Sequence, residues 1–132
     1  FNARADPKEL EGKFELAFET FNSTGFKNLQ ERLLETKAMV IFAQETKVRG
    51  EATDRASEWC KIRGWHSVWS DALPGVAEPY SKGGVAILFR SWMGCRRQVI
   101  AAPGHAIVAE LEIPKLGRWM CASIYLHDGH GM

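Results

Sequence analysis

Two residues, Asn22 and Glu45, have the types and positions to do chemistry on a phosphate. Asn22 falls on the alternate positions Phe14, Leu16, Phe18 and Thr20. Glu45 stands one residue beyond the apolar run Met39-Val40-Ile41-Phe42-Ala43 and Gln44. An amide beside a carboxylate offers hard oxygen donors. These suit Mg²⁺ with a phosphate as the remaining ligand. The same residues have plainer uses. An Asn shortly before a Gly serves in turns, and a Glu after a buried strand serves in loops or at helix starts. Spacing alone leaves both readings open.

The elements that would position this pair follow from periodicity. From Gly12, apolar Phe14, Leu16 and Phe18 alternate with Lys13, Glu15 and Glu19, the pattern of a half-buried strand. If the strand stays regular, Asn22 points to the same side as the apolar residues. Asn22-Ser23-Thr24-Gly25 forms a turn. Phe26, Leu29 and Leu33 then recur at helical spacing to about Lys37. The run 39–43 predicts a strand covered on both faces. Two strands joined by one helical crossover are parallel, so Asn22 and Glu45 are expected over one edge of a sheet. Ala52, Ala56, Trp59 and Cys60 define a second helix that stops near Gly64. Residues 65–69 and 84–89 read as strands, with 71–81 a surface loop. Residues 96–102, 106–113 and 118–126 read as an antiparallel meander turning at Pro103-Gly104 and at 114–117. The order β-α-β-α followed by strands predicts a mixed sheet with helices on one face.

Bulk properties bound the class. The 132 residues suffice for one core and are too few for two. At 45% hydrophobic and 25% charged, the chain is globular and not of the disordered class. A net charge of +1 supplies no global basic field, so charge neither supports nor excludes a phosphate-bearing substrate. Cys60, Cys95 and Cys121 are odd in number, widely spaced and without a C-x-x-C pair. They are expected to be buried or free thiols, which favours an intracellular protein. No apolar run approaches the roughly 20 residues of a membrane span. Residues 1–11 read as a linker or frayed lead-in and 12–132 as one partial domain. Both termini read as cuts in a longer product.

Four segments carry a resemblance. Asn22-Ser23-Thr24-Gly25 resembles the Asn-x-Asp/Asn-Gly element of the endonuclease/exonuclease/phosphatase (DNase I-like) superfamily. Phe42-Ala43-Gln44-Glu45-Thr46-Lys47 resembles its Leu-Gln-Glu-Thr/His-Lys motif. Ser81-Lys82-Gly83-Gly84-Val85-Ala86-Ile87-Leu88 is similar to its Gly-Gly-Val-Ala strand. Ile124-Tyr125-Leu126-His127-Asp128-Gly129 is similar to its Val-Tyr-x-Pro-Asn segment. All four stand in family order from about Gly12 onward, nearest to the apurinic/apyrimidinic endonucleases and the endonuclease domains of non-LTR retrotransposons.

The resemblance implies the N-terminal half of a four-layer α/β/β/α sandwich. It implies a divalent-metal-dependent phosphodiesterase using Mg²⁺ (or Mn²⁺), with DNA or another phosphate ester as partner and a location that includes the nucleus. Family phosphatases of nucleotides or inositol lipids, and a truncated non-catalytic domain, are the alternatives. Glu45 would bind the metal, and Asn22 would orient the scissile phosphate. Tyr125 would place its phenol against developing negative charge. Lys47 and Asp128 would lie along the substrate. Thr24, however, stands where the family commonly has Asp or Asn. His127-Asp128 replaces Pro-Asn, so a charge stands where a neutral amide would meet phosphate. The later family motifs Gly-Asp-x-Asn and Ser-Asp-His have no match in these 132 residues. Half of the sandwich would also leave a sheet face open to association.

Other residues read more plainly. His127 and His130 sit in a Gly-rich stretch and are expected in a solvated loop. The five tryptophans are expected as core anchors and Arg96-Arg97 as a solvated edge. Gly83-Gly84 opens a strand and lacks the helix of a dinucleotide fingerprint.

Overall fold

The computed structural model describes residues 17–75 and 81–126. Strand β1 (Phe18–Asn22) leads through helix α1 (Phe26–Glu35) to β2 (Val40–Gln44). Helix α2 (Glu51–Ile62) leads to β3 (Trp65–Ser70). The short strands β4 (Leu73–Pro74) and β5 (Ser81–Lys82) pair with each other inside the expected surface loop. Then follow β6 (Val85–Arg90), β7 (Gly94–Ala102), β8 (Ala106–Ile113) and β9 (Gly117–Ile124).

A mixed four-stranded sheet has the order β1-β2-β6-β3. The α1 crossover makes β1 and β2 parallel, with Asn22 directly beside Gln44. Strand β6 runs antiparallel to both β2 and β3. The meander β7-β8-β9 does not extend this sheet; it forms a second, antiparallel one.

Alternation on the first sheet separates two cores. Ile41, Ala43, Ala86 and Leu88 face α1 and α2, where they pack with Leu29, Leu33, Cys60 and Trp65. Each fully buried leucine there contributes on the order of 2 kcal/mol of transfer free energy. Val40, Val85, Ile87 and Phe89 face the other way, against Ile107, Ala109, Leu111 and Ile113 of the second sheet. The described residues thus stack as helices, sheet and sheet, with both helices on one face as the element order implies. Among the described residues one sheet face is open. The two sheets already cover one another, and the bare side is the outer face of β7-β8-β9, where Val99, Met120 and Ile124 are exposed.

Helix ends are held by distant groups. Asp71 accepts from the Gly50 amide (2.9 Å) and the Thr53 hydroxyl (2.7 Å), placing a carboxylate at the N-terminus of α2. Thr36 closes α1 through its amide to the Arg32 carbonyl, and its hydroxyl donates to Glu19 Oε1 at 2.8 Å. Arg32 Nη2 reaches the same carboxylate at 2.9 Å. The Arg32 hydrogen bond, opposed by partial burial and aided by Thr36, holds the Glu19 carboxyl below its ordinary 4.5. A depressed carboxylate stabilises the fold above the unfolded value and loses that contribution as pH falls through the folded one. Arg32 is well exposed, so the gain is discounted to under about 1 kcal/mol. Urea unfolding of Glu19→Gln should therefore show a small deficit at pH 7 that shrinks below about pH 4.5.

The three cysteines are free. Burial pushes the Cys60 thiol up to about 12, so it is an inert core group. Among the described residues no helix is long and apolar enough to cross a membrane.

Candidate active site

The C-terminal ends of β1, β2 and β3, the start of β6, the β7-β8 turn and the end of β9 share one rim. Hydrogen bonds between their backbones define it. Ser23 and Gly25 amides donate to the Gln44 and Glu45 carbonyls at 2.9 and 2.8 Å, clasping the β1 turn to the β2 loop. Thr46 and Lys47 amides donate to Gly84 and Gly83 (3.1 and 3.0 Å), and the Gly84 amide donates to Gly104 (2.8 Å). The Ser70 hydroxyl accepts from the Gly104 amide at 2.8 Å. Tyr125 donates its amide to the His105 carbonyl at 2.7 Å.

Asn22 lies at the end of β1 on the side of Phe18, whose ring meets Phe42 at the margin of the inter-sheet core. The alternation counted from Phe18 therefore holds. The Thr24 hydroxyl donates to Asn22 Oδ1 at 3.2 Å, which leaves the second lone pair of that oxygen and the amide NH₂ as the groups Asn22 can offer. A hydroxyl at position 24 thus acts on Asn22, where an acid there would act on a cation.

Glu45 is half-buried, with a left-handed backbone (φ 54°), and Lys47 (φ 59°) and Thr24 (φ 50°) share that conformation. For residues with a Cβ each such angle costs on the order of 1–2 kcal/mol. The clasping backbone bonds hold the conformation, and such strain gathers at functional sites. The Glu45 carboxylate makes no hydrogen bond or ion pair among the described residues. Lys47 is exposed, and its carbonyl accepts from the Ser81 hydroxyl at 2.7 Å. Between them Thr46 is fully buried, its Oγ1 without a partner and lying where a Cβ on Gly84 would stand, 2.4 Å away.

Tyr125 is half-buried against the inter-sheet core. Its ring lies parallel to that of His105 (3° between planes, 6.2 Å between centroids), and the His105 Nδ1 is 3.3 Å from its carbonyl. Asp128, His127 and His130 lie outside the described residues.

Sequence reasoning missed the parts that three residues play, one of them, Gln44, inside the motif it singled out. Gln44 Nε2 donates to the Ser123 hydroxyl (3.2 Å) and to the Phe42 carbonyl (3.0 Å). Ser123 in turn donates to the Ala43 carbonyl (3.0 Å). This tie crosses from the first sheet to the second, two residues before Tyr125. His105 is the third. Polar residues at inward positions of otherwise apolar strands were the available signal for Gln44 and Ser123; His105 gave none.

The donor set fits a hard cation in part. Glu45 supplies an uncommitted carboxylate and Asn22 an amide at the end of the neighbouring strand, a pair compatible with an ion that draws further ligands from phosphate and water. No cluster of three or more His, Cys, Asp or Glu suited to a metal occurs among the described residues.

No protein-family profile matches the chain, and no curated protein sequence does. Solved structures do. A 3′ phosphatase, NExo (D146N), from Neisseria, bound to a product DNA hairpin, superposes with a TM-score of 0.54 at 20% identity, over 72% of this chain and 37% of that one. The AP endonuclease LMAP from Leishmania major superposes with a TM-score of 0.54 at 19% identity, over 96% of this chain and 49% of that one. The chain thus spans less than half the length of either, and the likeness is one of fold.

Proposed function

We propose that this chain, whose fold is that of the DNase I-like endonuclease/exonuclease/phosphatase proteins, forms the N-terminal part of a divalent-metal-dependent phosphodiesterase acting on DNA. The observation that carries the reading is convergence. Asn22, Glu45 and Tyr125 stand at the ends of β1, β2 and β9, and those ends share one rim. Neighbours with this fold are a DNA-bound 3′ phosphatase and an AP endonuclease.

In this reading Glu45, with the Asn22 amide beside it, holds Mg²⁺ or Mn²⁺. The ion, when bound, supplies charge that polarises a phosphate oxygen. Asn22 NH₂ donates to a non-bridging oxygen and fixes the phosphate. The Tyr125 phenol donates toward the charge that develops there. Lys47 and Asp128 lie along the substrate. The activity is of retroelement or AP-endonuclease type, the domain begins near Gly12, and the protein works inside the cell on nuclear DNA.

Mn²⁺ binding and plasmid nicking by the 132-residue chain test the reading. The chain should bind Mn²⁺, with Glu45→Ala weakening it at least about tenfold. Unchanged affinity in Glu45→Ala would reject Glu45 as the ligand. A second reading, a truncated domain that binds without turnover, is favoured by the finding that no group of three or more His, Cys, Asp or Glu suited to a metal occurs among the described residues. Glu45-dependent Mn²⁺ binding without nicking would select it, and nicking lost in Glu45→Ala would remove it.

A further inference from the structure

The rim carries a cleft of about 650 Å³ that the proposed reaction does not use. It opens where the end of β3 meets the β7-β8 turn, a junction closed by the Gly104 amide donating to the Ser70 hydroxyl. Its size falls within the ~300–1,000 Å³ of small-ligand sites. Trp69, Leu73, Ile100 and Pro103 give it apolar walls, Asp71 stands in its lining, and Arg49 is its cation. Trp69 is a fixed wall. Its indole Nε1 donates to the Ser67 hydroxyl at 2.8 Å, and the Phe26 ring meets it edge to face at 6.1 Å.

Charge decides what fits. Asp71 turns both carboxylate oxygens to α2, where they accept from the Gly50 amide and the Thr53 hydroxyl. It thereby takes the helix terminus at which an anion would otherwise settle, and its charge repels phosphate from the cleft. Each of its oxygens keeps a further lone pair for an N–H donor. Arg49 is exposed, and its guanidinium makes no ion pair or hydrogen bond among the described residues. A neutral flat ring with N–H donors, carried on an anionic backbone, matches the apolar walls, the acceptor and the cation together. Position agrees. In the sheet order β1-β2-β6-β3, the end of β3 lies two strand spacings, about 10 Å, from the end of β2 beside Glu45. At ~3.4 Å of rise per nucleotide, that is about three nucleotides of a stacked strand. The loop after Glu45 runs along the same line. Its Lys47 amide donates to Gly83 ahead of β6 (3.0 Å), and its Val48 carbonyl accepts from the Ala72 amide just past β3 (2.8 Å).

We infer that this cleft is a subsite for one unstacked nucleobase of the substrate strand, about three nucleotides from the scissile phosphate. Trp69 is the wall on which the base packs, Asp71 accepts from its N–H groups, and Arg49 holds an adjoining phosphate. The inference rests on the function proposed above and adds a demand that the metal site does not make. A base paired and stacked inside a duplex cannot enter such a cleft, so the strand must be single or locally opened at that position.

Fluorescence anisotropy titrations of the 132-residue chain test this with two single-stranded oligonucleotides of equal length. One carries normal bases; the other is built of tetrahydrofuran units that keep the sugar-phosphate backbone and lack bases. The base-bearing strand should bind at least about tenfold tighter. Ile100→Glu puts a charge into the cleft at an exposed position, so the fold is kept, and it should remove most of that difference. Trp69→Leu should reduce the difference at least about fivefold. Arg49→Gln should weaken both strands alike and make binding less sensitive to salt. Mn²⁺ affinity, which reads Glu45, should be unchanged in all three variants. Equal affinity for the two strands, no binding of either, or a difference that survives Ile100→Glu would overturn the inference. Failure of the metal reading has another signature: Mn²⁺ binding indifferent to Glu45→Ala, with a base-dependent difference that Ile100→Glu still removes, would reject that reading and leave the base subsite standing.

Discussion

Arg90→Ala is expected to cost the fold about 3 kcal/mol or more, a large share of the roughly 5–15 kcal/mol that holds a domain together. The Arg90 side chain is fully buried. Its guanidinium lies 3.8 Å from the centroid of the Trp65 ring. Nε donates to the Ala38 carbonyl at 3.0 Å and Nη2 to the Thr36 carbonyl at 2.9 Å. The cation therefore holds the segment between α1 and β2, which sets where β2 begins and thus where Glu45 ends up. Alanine would remove the donors from two carbonyls and open a cavity beneath Trp65, and both effects destabilise. Arg90→Lys keeps the charge but loses the planar stack and the forked donors, so it should recover only part of the loss. Urea unfolding followed by far-ultraviolet circular dichroism measures both. A midpoint unchanged in Arg90→Ala would show that the buried cation is dispensable.

Gly84→Ala should be nearly as damaging, and at the site itself. Gly84 has φ +90°, where a side chain is strained at about 1–3 kcal/mol. A Cβ there would also stand 2.4 Å from Thr46 Oγ1 and 3.2 Å from both the Ala72 Cβ and the Lys47 amide nitrogen. The total should reach about 3 kcal/mol, and the relief of the clash must displace the Glu45-to-Lys47 loop. Adding Thr46→Ala to Gly84→Ala removes the closest clash but not the backbone strain, so only part of the stability should return. Mn²⁺ affinity should fall in the single variant more than its stability loss explains. Full recovery in the double variant would show that φ plays no part.

The elements were legible where local pattern decides them. The alternation through Phe18 and Thr20 fixed the side of Asn22. The run before Gln44 gave a strand covered on both faces, and the α1 crossover made it parallel to β1. Pro103-Gly104 and the turn after Ile113 marked the meander. What local pattern could not supply was long-range pairing. Alternation says that Ile107 and Leu111 face a core, but not that the core belongs to a second sheet. At the site, the Glu-Thr-Lys motif was readable as chemistry, whereas its left-handed backbone depends on acceptor carbonyls at Gly83 and Gly84, more than thirty residues away. Thr24 read as a departure from the family's Asp or Asn; its hydroxyl turns out to orient Asn22.

The tie from Gln44 to Ser123 also has a kinetic side. It joins residues 79 positions apart. Closing so long a loop costs about 4 kcal/mol of chain entropy, apart from a constant. The β7-β8 and β8-β9 hairpins, joined by short turns, cost far less, as does the β1-α1-β2 crossover. Contacts of this separation form after local ones, because the entropy must be lost before they return anything. Asn22 and Glu45 can therefore come together while the second sheet is still undocked, but Tyr125 joins them only when the Gln44 to Ser123 tie closes. The rim is complete only at the end of folding, and any chain that stalls short of that step holds the acidic part of the site without its phenol.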